Sequence, residues 1–108
     1  MKLLSRPEEL LLLAIWRLKE NAYCVTIRRQ VSEVTGRAWS FGAIYVPLER
    51  LEKRKYLTSF LGKPTPERGG RSKRFYKLTH EGLMALAEIR RVEKVMWDGI
   101  TELSPDGK

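Results

Sequence analysis

The residues of this chain best able to do chemistry are cations, and the chemistry they offer is neutralisation of a polyanion. Between Gly62 and Lys77 stand Lys63, Arg68, Arg71, Lys73, Arg74 and Lys77, against Glu67 alone. Pro64, Pro66, Gly69 and Gly70 exclude a helix here and favour a turn-rich loop tip. The chain then enters a strand, where Lys73, Phe75 and Lys77 alternate with Arg74, Tyr76 and Leu78 at a spacing of two. A hairpin with this excess charge suits a nucleic-acid backbone. Arg28 and Arg29 lie off the apolar stripe of their segment and add two candidate phosphate contacts.

Catalytic chemistry has little to stand on. His80 is the only histidine and Cys24 the only cysteine, so no histidine–cysteine set can hold zinc. No Gly-x-x-x-x-Gly-Lys phosphate loop occurs. Glu8–Glu9 and Glu49–Glu52 read as capping and solvated helix charges. We expect no enzyme and no cofactor. The lone cysteine excludes an intrachain disulfide, and a small buried hydrophobe in a reducing, cytoplasmic setting is the expected role.

Composition agrees. The 108 residues carry 21 Lys and Arg against 13 Asp and Glu, a net charge of +8, and 43% are hydrophobic. One modest domain follows. The charge fits nucleic acid or an anionic membrane surface, but the cations sit on a polar hairpin and no strongly amphipathic basic helix accompanies them. The apolar run Leu10–Trp16 is seven residues, far short of the roughly 20 that span a bilayer. Glu8 and Glu9 separate it from Lys2, unlike a signal peptide.

These cations need elements to position them. Ser5 with Glu8 forms a capping box opening a helix to about Glu20. The run Leu10–Trp16 is apolar on every face, so that helix must be covered on two sides. We assign Leu12, Ile15 and Trp16 to an outer contact with a second subunit. A second helix, about Val25 to Thr35, should bury Ile27, Val31 and Val34 and end at Gly36. After a short link, Ser40 caps a third helix, about Phe41 to Lys55, that buries Phe41, Ile44, Leu48 and Leu51. Pro47 should bend it or delay its first turn.

Strands at about Tyr56–Leu61 and Ser72–Leu78 follow, and Thr79 caps a last helix to about Asp98. Along that helix Leu86, Ile89, Val92, Met96 and Ile100 form one stripe, longer than a small core needs. The fold class is mainly α with a small β-hairpin: a winged helix-turn-helix over residues 1–78, a C-terminal dimerisation helix over 79–104 and a frayed tail over 105–108.

Three stretches carry a family resemblance: Tyr23 to Arg29, Ser40-Phe-Gly-Ala-Ile-Tyr-Val-Pro-Leu-Glu-Arg-Leu-Glu52, and Gly69-Gly-Arg-Ser-Lys-Arg-Phe-Tyr-Lys-Leu-Thr-His-Glu-Gly82. Together they resemble the PadR-like transcriptional regulators over roughly Leu10 to Ile100, in a short form with one C-terminal helix. The resemblance implies a homodimer on double-stranded DNA, with the last helix packed on the partner and helix one assisting. It also implies that the third helix enters the major groove. Ser40, Gly42, Tyr45, Val46 and Lys53 are then the expected contacts on that helix, and Arg71, Lys73 and Arg74 those on the hairpin. Some members sandwich flat aromatic ligands between interface tryptophans, which makes Trp16 and Trp97 candidate walls of a small aromatic effector site. A tryptophan that merely packs an interface is the simpler role. The expected function is a repressor on a pseudo-palindromic operator; the alternative is a winged-helix module that meets an acidic protein or RNA.

Overall fold

Ser5 does open the first helix, and it does so reciprocally. The computed structural model of the protein describes residues 3–63 and 72–100. In it the Ser5 hydroxyl accepts from the Glu8 amide at 3.3 Å, and the Ser5 amide donates to the Glu8 carboxylate at 2.8 Å. Helix α1 (Arg6–Leu18) passes into a 3₁₀ turn at Lys19–Asn21. Here one expectation is corrected. Leu12 and Ile15 are fully buried in the protomer's own core, while Leu13 and Trp16 are the large apolar side chains left exposed on this helix. The two-sided cover is real, but α1 is a central helix touching every later helix and the second strand. Its second cover is intramolecular.

Helix α2 (Cys24–Thr35) starts where the Tyr23 amide donates to the Thr26 hydroxyl at 3.0 Å. It buries Ile27 and Val31, but Val34 is 65% exposed. Val34 sits in the last turn, between the exposed Glu33 and the closing Gly36, where the helix has run past the core. Gly36 ends it at φ 68°, the left-handed region that glycine enters without a Cβ penalty.

Helix α3 (Phe41–Lys53) is capped by the Ser40 hydroxyl, which accepts from the Ala43 amide at 3.1 Å. Ile44, Leu48 and Leu51 enter the core as expected, but Phe41 stays half exposed. The helix continues through Pro47, whose ring is buried. The missing donor orphans the carbonyl of Ala43, an exposed residue that solvent can reach.

Strands β1 (Leu57–Leu61) and β2 (Arg74–Leu78) pair antiparallel from Leu57 opposite Leu78 to Leu61 opposite Arg74. They are shorter than expected by one and two residues. The far edge of β2 is also occupied: Tyr76 donates its amide to the Ala22 carbonyl at 2.8 Å, and Tyr23 bridges to Phe75. The hairpin is thereby tied to the entry of α2.

Helix α4 (His80–Trp97) is seated on the corner between α3 and β1. The Thr79 hydroxyl donates to the Lys55 carbonyl at 2.6 Å and accepts from the Gly82 amide at 3.0 Å. Gly82 lies so close that a Cβ would stand 2.3 Å from the Tyr56 carbonyl oxygen. The helix stops at Trp97, short of the expected end, and residues 101–108 lie outside the described residues.

One core holds these elements together, with Leu11, Leu12, Ile15, Ile27, Ile44, Leu48, Leu51 and Leu57 all fully buried. Each contributes about 1.5–3 kcal/mol of burial. Among the described residues, no helix is long and apolar enough to cross a membrane.

Candidate nucleic-acid interface

Helix α3 turns Ile44, Leu48 and Leu51 inward, so its other face must look outward. That face carries Gly42, Tyr45, Val46, Glu49 and Lys53, all exposed. Gly42 is informative. A Cβ there would meet only the Ser40 hydroxyl, at 4.0 Å. Nothing inside the protein therefore requires glycine, although glycine within a helix costs about 1 kcal/mol relative to alanine. The glycine leaves the helix backbone open to close approach from outside. Tyr45 stands beside Glu49, whose hydrogen bond and charge push the phenol above its ordinary value.

The link between α2 and α3 is locked by side chains. The Trp39 indole donates to the Thr35 hydroxyl at 2.9 Å, and that hydroxyl donates to the Val31 carbonyl at 2.7 Å. Arg28 donates through Nε to the Trp39 carbonyl and lies over the Phe41 ring at 4.5 Å. Phe41, half exposed, meets this guanidinium with one face of its ring. Arg28 is partly buried and engaged in this lock, whereas Arg29 is exposed. The expectation treated the two alike; their geometry differs.

On the hairpin, Arg74 donates to the Ser59 hydroxyl at 3.0 Å, and Ser59 donates to Glu52 of α3 at 2.7 Å. This chain brings Arg74 beside α3, where its charge acts on Tyr45. Lys73 bends back instead, with its ammonium 4.4 Å from the centre of the Tyr23 ring. Tyr23 packs edge-on against Phe75, and Phe75 stacks on Phe60. Arg71 lies outside the described residues. Sequence reasoning passed over Arg37 and Arg50, both exposed on the link and on α3; their signal was only a cation off the apolar stripe.

Two helices joined by a locked link, the second followed by a basic hairpin, form a winged helix-turn-helix. Residues 12–88 match the transcriptional regulator PadR-like family. The chain belongs to this family. No curated protein matches the chain. Among solved structures, a PadR family transcription regulator from Clostridium difficile R20291 is 26% identical, covering 85% of this chain and 95% of that one with a TM-score of 0.64. A PadR family transcriptional regulator from Eggerthella lenta DSM 2243 is also 26% identical, over 84% and 77%, with a TM-score of 0.66. A transcriptional regulator from Clostridium thermocellum, 19% identical over 86% and 87% with a TM-score of 0.68, shares the fold.

PadR-like proteins are transcriptional regulators rather than enzymes. Burial pushes the Cys24 thiol up, against the opposing pull of Arg28. Among the described residues no group of histidine, cysteine and carboxylate side chains could hold a metal ion. On α4, Leu86, Ile89 and Val92 are half-buried, while Val95, Met96 and Trp97 are exposed, as is Ile100 just beyond the helix. Trp16 and Trp97 are each about half exposed. Trp16 lines a groove with Phe60, Phe75 and Leu83, and Trp97 is not part of it.

Proposed function

We propose that this PadR-like chain is a homodimeric repressor that reads a pseudo-palindromic operator through α3 and its hairpin. The observation that carries the reading is the outward face of α3: a glycine the fold does not need, next to Tyr45 and Val46, with Arg74 tethered alongside. Gly42 lets the duplex approach the helix backbone. Val46 suits a thymine methyl, and Tyr45 suits a phosphate or base edge. With no Arg, Asn or Gln on the first two turns of α3, discrimination leans on DNA shape, which Arg74 and Arg71 read at a narrow minor groove. Ser40 caps the reading helix, and Arg29 and Lys53 contact phosphates.

Dimerisation uses the stripe of α4, from Leu86 through Ile89 and Val92 to Met96, continued by Ile100 beyond the helix, with Trp16 beside it. Two copies then set their reading helices about one turn apart, roughly 34–36 Å. A small aromatic effector acts by binding a subunit arrangement with a different spacing. Selecting duplexes from a random pool with the purified chain tests this. Two inverted half-sites should emerge, with affinity falling steeply as salt rises. A single half-site, no consensus, or a flat salt response overturns the reading.

A further inference from the structure

Past its first turn, α4 is joined to the rest of the protomer by one hydrogen-bonded ion pair among the described residues. Arg6 Nη1 stands 3.2 Å from Glu93 Oε1, across 87 residues of sequence. The same nitrogen stands 3.3 Å from Glu9 Oε1 on its own helix. We propose that Arg6 is a positioning residue: it latches α4 against α1 by sharing one guanidinium between two carboxylates, and so sets the spacing of the paired reading helices. Glu93 lies 13 residues beyond His80, roughly 20 Å along the helix from its seat. A contact at that radius governs the angle of the helix closely.

Removing the guanidinium would do more than delete a pair. The Glu9 side chain is mostly buried, at 13% exposed. Burial first, and then the charge of Glu93, push its carboxyl up, while Arg6 pulls it back. Both carboxylates are held within hydrogen-bond reach of one nitrogen, so without Arg6 they face each other and repel. Helix α4 then tilts away from α1, with the joint at Thr79 and Gly82 as its polar attachment. The place of Arg6 supports the same role. It is the first residue of α1, where the helix dipole favours an acid over a cation. An exposed ion pair adds little to stability, yet it can choose between helix orientations that differ by equally little.

The consequence for DNA rests on the operator reading; the latch itself does not. The first measurement therefore uses the full chain without DNA. Nitroxides at Glu33→Cys on α2 and Lys94→Cys on α4, both exposed positions, report one distance by electron double resonance. The background is Cys24→Ser, diluted with unlabelled chain. Arg6→Ala should shift and broaden that distance, since a tilt of about 5° at this radius moves Glu93 by roughly 2 Å. Adding Glu93→Gln should return most of the shift, because the repulsion leaves with the charge, and Arg6→Lys should stay near the parent value. A residue that merely opened α1 would not be rescued from α4. An unchanged distance in Arg6→Ala, or no return on Glu93→Gln, overturns the proposal. The second measurement compares duplexes whose half-sites stand one base pair closer or further apart. The parent should favour its selected spacing about tenfold, and Arg6→Ala should cut that preference to about threefold. A shifted distance with a parent-like spacing preference overturns the positioning role. A parent indifferent to spacing overturns the operator reading instead, and the nitroxide distances alone then decide the latch.

Discussion

Gly42 and Arg28 divide between them what a side chain on this surface can do. Gly42 has open space around it, so Gly42→Ala should stabilise the fold by up to about 1 kcal/mol in urea unfolding. The same variant should weaken duplex binding in an anisotropy titration. A gain in both stability and affinity would remove the case for close approach. Arg28 spends its guanidinium on the Trp39 carbonyl and the Phe41 face, and lysine cannot reproduce that fork. Arg28→Lys should lower the ratio of specific to non-specific affinity and leave the salt slope unchanged. Arg74→Ala should flatten that slope by about 0.9 for one cation withdrawn from the duplex. Tyr76 adds a pH dependence. Burial leads the causes that push its phenol up to about 12, so the folded state prefers the neutral form. The stability it supplies is complete below the ordinary value of 10 and is lost as pH rises through about 12. Tyr76→Phe should show a shallower loss of stability than the parent over that window, followed by urea midpoints.

At the scale of elements, caps and turns were the most legible part of the sequence. Ser5 with Glu8, Ser40, Thr79 and Gly36 all act where their residue types placed them, because capping is decided within four residues of chain. Burial was less legible, since it depends on where a helix lies among its neighbours. Leu12 and Ile15 are buried by the protomer itself because α1 runs through its middle, and Val34 is exposed because α2 outruns the core. Phe41 meets Arg28, thirteen residues earlier, a contact that no helical period encodes. The outward face of α3 was readable as the complement of its apolar stripe; the tether from Glu52 through Ser59 to Arg74 needed the hairpin register. The joint between α4 and the α3–β1 corner gives the sharpest test at this scale. Gly82→Ala forces a methyl group against the Tyr56 carbonyl, where the neighbour is backbone and cannot rotate away. Such overpacking costs about 1–3 kcal/mol, and thermal unfolding should register the loss with the reading face itself untouched.

The whole molecule is longer than its size requires. Its radius of gyration is 16.2 Å, against roughly 13 Å for a compact domain of this length. The outer end of α4 and the residues just after it leave Val95, Met96, Trp97 and Ile100 in solvent. Exposed apolar side chains at this end suit the proposed contact with a second copy. In sedimentation the parent should run as a dimer, and Met96→Glu should shift it toward the monomer. The same variant should cost operator affinity by much more than its effect on non-specific DNA. A parent that stays monomeric would remove the two-fold reading.

The seating of α4 also makes it a lever. Its first turn is fixed by Thr79 and Gly82 to the carbonyls of Lys55 and Tyr56, the corner reached directly from the end of α3. Its 18 residues reach about 27 Å from that fulcrum, so a swing of about 5° moves the far tip by roughly 2 Å. Run in reverse, a small displacement imposed at the tip is geared down at the corner that joins α3 to β1.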